Sequence, residues 1–119
     1  GSNLWFQDAS SHFSPTHLNN RVFITDEDYS VVAFNAGNGR IDWSNEKLFL
    51  RRLTGPTVVS SYVAVGDFEG YVHLLDASDG SFVGRTRVER SGITASLSSY
   101  RDILFVHSDK GTFSAYKIQ

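Results

Sequence analysis

Residues 65–80 read VGDFEGYVHLLDASDG. A short apolar run leads into an acidic turn that ends in glycine, and a second apolar run leads into another such turn. Valine and tyrosine favour strands, whereas aspartate and glycine favour tight turns. The stretch therefore predicts short antiparallel strands that are joined by turns. The same pattern recurs elsewhere in the chain, and this recurrence decides the fold.

The repeat has a period of 41 residues. Turn 35–39 (NAGNG) recurs 41 residues later as turn 76–80 (DASDG). Further matches at this spacing are Pro15 with Pro56, Asp26 with Asp67, Val31 with Val72, and Leu75 with Tyr116. A third, shorter copy follows the second, because Gly70 is matched by Gly111. A fixed spacing of this length indicates a repeat architecture.

Each repeat divides into four short strands. In the second copy, turn residues separate strands at 57–60, 62–66, 71–76 and 81–88. The third of these strands has Val72 and Leu74 on one face and Leu75 on the other. A sheet packed between two neighbours is apolar on both faces, whereas a sheet with one wet face alternates. Four antiparallel strands in about 40 residues match a β-propeller blade.

The prediction is an all-β fold, a partial β-propeller of about three four-stranded antiparallel blades. The expected units are a tag scar at 1–2, the outer strand of a preceding blade at 3–8, blade one at 9–50, blade two at 51–92, and an incomplete blade three, without its outer strand, at 93–119. A β-sandwich is the competing architecture, but it offers no reason for a fixed period.

Composition limits the classes of function. The chain has 119 residues, 40% of them hydrophobic, which suits one compact unit or part of one. Eleven Lys and Arg residues against 13 Asp and Glu leave a formal charge of −2, so no nucleic-acid partner is expected. The absence of cysteine excludes disulfides and thiolate metal sites. No apolar run approaches the ~20 residues of a membrane-spanning helix.

The residue patterns predict no catalytic, cofactor-binding or metal-binding residues. The four histidines are His12, His17, His73 and His107. None of them has the paired spacing of a metal site. Residues 107–109 include the residue types of a catalytic triad, yet consecutive residues cannot meet as nucleophile, base and orienting group. The acidic turns at 26–28 and 76–79 lack the ligand alternation of a calcium loop.

One rim of the predicted blades is the best candidate for a partner surface. In a four-stranded meander, the second hairpin and the connection to the next blade emerge at the same rim. Arginine and aromatic residues in that connection suit an interface anchor, because both are enriched at binding hot spots. The predicted surface consists of Leu48, Phe49, Arg51, Arg52, Asp67 and Glu69. The alternative is that residues 48–50 tuck beneath the blade as core.

Several stretches carry a resemblance to known families. Residues 34–43 (FNAGNGRIDW) resemble the repeat of the pyrroloquinoline-quinone-like propellers, with Asn35 and Asn38 in place of the usual Asp and Thr. Residues 50–56 (LRRLTGP) and 65–73 (VGDFEGYVH) are similar to the C-terminal part of the BamB family of outer-membrane assembly lipoproteins. This resemblance covers nearly the whole chain after residue 10.

The resemblance implies a parent ring of eight blades, closed by an N-terminal strand that joins the last blade. It also implies a non-enzymatic scaffold of the β-barrel assembly machinery that binds the central subunit, BamA, and nascent outer-membrane proteins. The implied location is the periplasmic face of the outer membrane of a Gram-negative bacterium, with a lipid anchor that precedes this sequence. A fragment of a quinone-dependent propeller dehydrogenase is the alternative function.

Trp5 and Trp43 bear on that alternative. Quinone-dependent propeller dehydrogenases hold their cofactor in the central channel, together with calcium and a catalytic aspartate. Here both tryptophans fall on predicted outer strands, and the resemblance implies that such a tryptophan locks its blade to a neighbour. We therefore expect structural roles for both and no cofactor.

The two ends of the chain predict self-association. Residues 3–7 resemble an isolated outer strand, and residues 112–118 form a predicted strand with an unpaired edge. Open edges recruit strands, and three blades cannot close a ring by themselves. We expect residues 3–7 of one chain to pair with residues 112–118 of a second copy, which would form a homo-oligomer.

Overall fold

The structure is a computed structural model that describes residues 15–48, 51–88, 92–93, 97–111 and 113–118. In these ranges the chain forms eleven strands and no helix. The strands assemble into three antiparallel sheets in which neighbours along the chain are neighbours in space. This arrangement confirms the predicted all-β class and its four-stranded antiparallel units.

Three successive meanders make up the sheets. The first contains β1 (Thr16–Leu18), β2 (Arg21–Thr25), β3 (Val31–Asn35) and β4 (Ile41–Asn45). The second contains β5 (Thr57–Val59), β6 (Tyr62–Gly66), β7 (Tyr71–Asp76) and β8 (Phe82–Arg87). The third contains β9 (Ser98–Tyr100), β10 (Ile103–His107) and β11 (Phe113–Lys117).

Repeated turn chemistry explains why the first two sheets share a shape. Asn35 and Asp76 each accept a hydrogen bond, through side-chain Oδ1, from the amide two residues further on, at 2.8 Å. Both side chains offer the same acceptor, which is why Asn replaces Asp without changing the turn. Gly39 and Gly80 end these turns with φ of 74° and 77°, a region that strongly favours glycine.

The core lies between the sheets, in two main layers. Val63 and Val65 of β6 pack toward the first sheet, together with Phe23 and Leu75. The intervening Ala64 packs in the opposite direction, in a cluster shared with the third sheet. That second cluster consists of Val59, Ala64, Val72, Ile93, Leu97, Leu104 and Val106. The middle sheet is therefore buried on both faces, which accounts for its apolar character on both.

The outer parts of the sheets are more exposed. All six residues of β8 are exposed, and β8 and β11 are each hydrogen-bonded to a strand on one side within their sheets. The predicted outer strand at 3–8, with Trp5, lies outside the described residues, as does Thr112. Strand exchange between copies therefore stays a prediction. The described part of the chain contains no helix long and apolar enough to cross a membrane.

A candidate partner-binding rim

The connection between the first and second sheets runs beside the β6–β7 hairpin, at one rim of the molecule. The Phe68 amide donates to the Arg51 carbonyl at 3.1 Å, and the Thr54 amide donates to the Gly66 carbonyl at 2.9 Å. These backbone bonds hold the connection against the hairpin. They bring Arg51 next to hairpin residues 67–69.

Asp67 organises this rim from a fully buried position, with 0% of its side chain exposed. Its Oδ1 accepts hydrogen bonds from the Glu69 amide at 2.9 Å and the Tyr71 amide at 3.0 Å, which closes the hairpin. Its Oδ2 lies 3.1 Å from Arg51 Nη1 and 2.7 Å from His73 Nε2. One carboxylate therefore joins the hairpin, the connection and strand β7.

The surroundings of Asp67 keep its carboxyl group ionised. Burial raises the pKa of Asp67, but the hydrogen bonds from His73, the Tyr71 amide, Arg51 and the Glu69 amide outweigh burial. The net result is a pKa below the ordinary value of 3.8. A buried negative charge is stable only when it is paired, so Asp67 also fixes the position of the Arg51 guanidinium.

The structure corrects two members of the predicted surface. Leu48 is only 5% exposed and belongs to the core cluster between the first two sheets, as the alternative for residues 48–50 expects. Asp67 is buried because it closes the hairpin from within. Neither side chain is therefore exposed at the rim. Phe49, another member of the predicted surface, lies outside the described residues.

The remaining predicted residues are accessible. The Arg51 side chain is 27% exposed and the Glu69 side chain is 48% exposed, with Arg51 Nη1 3.7 Å from Glu69 Oε1. Arg52 is exposed, and its guanidinium carbon lies 5.9 Å from the ring centre of Phe68, which is 44% exposed. We call Arg51, Arg52, Phe68 and Glu69 the hairpin rim.

Sequence reasoning missed an arginine cluster beside the rim. The guanidinium carbons of Arg51, Arg85 and Arg87 lie 5.5, 5.1 and 5.3 Å from the ring centre of Tyr71. Arg85 and Arg87 are two residues apart on β8, so they lie on one face, and Arg87 pairs with Tyr71 across the strands. Arginines at the alternating positions 85 and 87 were the sequence signal that could have predicted this cluster.

Trp43 contacts the neighbouring sheet. Its Nε1 donates to the Ala77 carbonyl at 3.0 Å, and its ring lies 5.8 Å from that of Phe23. A Cβ placed on Gly80 would overlap the indole, so the ring lies directly on that glycine. The geometry is that of a side chain spanning two sheets. Trp5, the other predicted structural tryptophan, lies outside the described residues.

The described residues contain no group of three or more His, Cys, Asp or Glu side chains that would hold a metal ion. His73 is 1% exposed and engaged with Asp67, which gives it a structural position between the strands. His107 is exposed at the end of β10 and packs edge-on against Phe113. His73 and His107 therefore lie in different sheets, the second and the third.

Comparison with known proteins identifies the family. A family model described as outer membrane protein assembly factor BamB matches residues 1–119. The chain belongs to the BamB family. BamB of Pseudomonas aeruginosa is 35% identical over 119 residues, a match that covers 100% of this chain and 31% of the relative. The chain thus spans about a third of the length of such curated relatives.

Solved structures agree with this membership. The crystal structure of BamB from Moraxella catarrhalis superposes with a TM-score of 0.87 and 31% identity, covering 94% of this chain and 34% of that one. The match confirms the partial propeller. A quinohemoprotein alcohol dehydrogenase from Pseudomonas putida gives a TM-score of 0.78 at 18% identity, over 97% of this chain and 20% of that one. At that identity the likeness shows the fold alone.

Proposed function

We propose that this BamB-family chain is a non-enzymatic scaffold that assists outer-membrane protein assembly through protein–protein contacts. The match of the family model to residues 1–119 carries the proposal, since the relatives it describes are named as assembly factors. The proposed partners are BamA, the central barrel-assembly subunit, and nascent outer-membrane proteins. The proposed location is the periplasmic face of the outer membrane, with a lipid anchor on the parent protein.

The hairpin rim is the proposed contact surface. Arginine and aromatic side chains dominate binding energy at interfaces, and here an exposed arginine, Arg52, lies over an exposed phenylalanine, Phe68. Arg51 is already fixed by buried Asp67, so less side-chain entropy is lost when a partner binds it. Both features support a preformed interface at this rim.

The experiment is an affinity purification from detergent-solubilised outer membranes of a Gram-negative bacterium, with the tagged protein as bait. We expect recovery of the barrel-assembly complex, identified by mass spectrometry. Arg52→Glu should lower this recovery without changing the melting temperature, because exposed rim charges affect association more than folding. Arg40→Glu changes an exposed arginine in the turn between β3 and β4 and is the matched control.

Failure to recover the barrel-assembly complex would contradict the scaffold role. An equal loss of recovery with Arg52→Glu and Arg40→Glu would instead show that the hairpin rim is not part of the interface. Arg51→Glu is a poor test, because it leaves the buried carboxylate of Asp67 without one of its partners and weakens folding as well. Alcohol oxidation by the protein in the presence of pyrroloquinoline quinone and calcium would contradict its non-enzymatic character.

A further inference from the structure

A cleft of about 380 Å³ lies between the end of the first sheet and the outer strand of the second. Its lining combines buried Leu48 and His73 with exposed Lys47, Phe82 and Arg85. The volume is within the range of about 300 to 1,000 Å³ that is usual for ligand sites. The cleft is therefore large enough to enclose one or two side chains of a ligand.

The charged residues that line this cleft are all basic. Lys47, Arg51 and Arg85 line it, and no aspartate or glutamate is among its described lining residues. Arg51 is already paired with Asp67. Lys47 and Arg85 form no ion pair with any residue in the described ranges. Two cations are thus available to a ligand that brings negative charge.

Tyr71 holds one of these cations in place. The Arg85 guanidinium carbon lies 5.1 Å from the ring centre of Tyr71, a distance typical of a cation–π contact. A stacked guanidinium keeps the N–H groups at its edge free to donate, and their geometry fits both oxygens of a carboxylate. The position of Arg85 thus favours a carboxylate ligand.

The cleft also offers an apolar surface. Phe82 is 41% exposed, and its ring lies edge-on to His73 with 6.4 Å between ring centres. Exposed aromatic rings beside fixed cations suit a ligand that carries an apolar group next to its negative charge. A protein segment with adjacent acidic and apolar side chains has this chemistry.

We propose that this cleft binds an acidic segment of a protein partner, with a carboxylate between Lys47 and Arg85 and a neighbouring apolar side chain on Phe82. Charge complementarity supports a peptide ligand. Two unpaired cations in a concave site are fewer than the roughly four to eight basic residues typical of segments that bind anionic lipid surfaces. The inference goes beyond the assembly role, since it names a ligand class and requires no membrane component.

The experiment measures binding of a dye-labelled peptide of alternating glutamate and phenylalanine to the purified protein by fluorescence anisotropy. We expect saturable binding that weakens as salt is added. The same peptide with glutamine in place of glutamate should bind at least about tenfold more weakly. Arg85→Glu should weaken binding of the acidic peptide by at least about tenfold, whereas Arg40→Glu, with the same change in charge, should leave it unaltered.

Equal binding of the glutamine peptide, or an equal loss in Arg40→Glu, would overturn the proposal. Binding to vesicles of anionic phospholipid without binding to the peptide would also overturn it and assign the cleft to a lipid surface. Should Arg85→Glu lower the melting temperature, Arg85→Gln supplies the same comparison without an added negative charge. A protein that recovers the barrel-assembly complex but does not bind the peptide would overturn this inference alone.

Discussion

Trp43 and Gly84 occupy the same place in neighbouring sheets. They are 41 residues apart, and each pairs with the matching residue of the adjacent strand, Trp43 with Ala33 and Gly84 with Leu74. Trp43 reaches the next sheet and bonds to the Ala77 carbonyl. A Cβ added at Gly84 would meet no atom within 4 Å.

The difference between Trp43 and Gly84 shows that one repeat builds two unlike junctions. At this position an indole covers the junction of the first and second sheets, whereas an apolar groove of about 210 Å³ remains between the second and third. The cleft of about 380 Å³ at the first junction is lined by other residues, among them Leu48 and Phe82. The apolar side chains of this groove are those of Val72, Leu74, Leu104, Tyr116 and Ile118. Repeats that share a backbone thus differ in how much burial stabilises each junction.

The largest predicted effect concerns the junction of the first and second sheets, which the Trp43 indole covers. Trp43→Ala removes the indole that packs on Phe23 and Gly80 together with its hydrogen bond to Ala77. Truncation of a buried tryptophan costs 3 to 5 kcal/mol, and Trp43 is only half-buried, so we expect a loss of about 3 kcal/mol. Urea unfolding followed by far-ultraviolet circular dichroism measures it. An unfolding curve that matches the wild type would show that the indole does not stabilise this junction.

A substitution of Gly80, which lies beneath the Trp43 indole, should destabilise the fold nearly as much. Gly80→Ala places a Cβ into the Trp43 ring at a residue whose φ is 77°. Backbone strain of this kind and the displaced ring together should cost about 2 kcal/mol. In the Trp43→Ala background the cost should fall, because only the backbone strain remains. Additive losses in the double variant would mean that Gly80 and Trp43 act separately.

The repeat explains why the strands were predictable from sequence. Alternating apolar residues and turn-forming Asp, Asn and Gly define local structure, so the expected strands at 62–66 and 71–76 coincide with β6 and β7. Hairpins between successive strands also need few long-range contacts. The predicted meander therefore follows from local sequence.

The rim was less predictable because its contacts join distant residues. Burial of Leu48 depends on how the connection folds back on the first junction, and the charge of Asp67 depends on Arg51 and His73. The cluster around Tyr71 depends on register. The ladder between β7 and β8 shifts between Leu74 and Leu75, so the partners of β8 residues cannot be counted from the turn alone.

Asp67 contacts both connections between the sheets, so we expect the stability of the fold to fall at acid pH. Its side chain holds Arg51 of the first connection, and its carbonyl accepts a hydrogen bond from the Ile93 amide of the second at 2.8 Å. The pKa of Asp67 is lowered in the folded state, so its stabilisation is present above the ordinary value of 3.8 and is lost as pH falls through the lower native value.

Urea unfolding at a series of pH values measures this loss, with Asp67→Asn as the variant that should flatten the acid limb. Asp79 is the control, since hydrogen bonds from the Ser81 amide and hydroxyl also lower its pKa. Asp79 is exposed, so Asp79→Asn should change the profile little. If Asp67→Asn retained the full acid sensitivity of the wild type, another carboxylate would carry the effect.

The smallest predicted effect concerns the junction of the second and third sheets, which holds the apolar groove. It is a gain in stability. Gly84 lies on the same face of the sheet as Leu74, beside the apolar groove, and its backbone has room for a Cβ. Gly84→Val should raise the free energy of unfolding by about 1 kcal/mol, because valine favours strands and buries apolar surface in the groove. Gly84→Ala, which gives the backbone contribution with little burial, should show a smaller gain. A loss of stability in Gly84→Val would mean that the second junction is already closely packed and that the contrast with Trp43 fails.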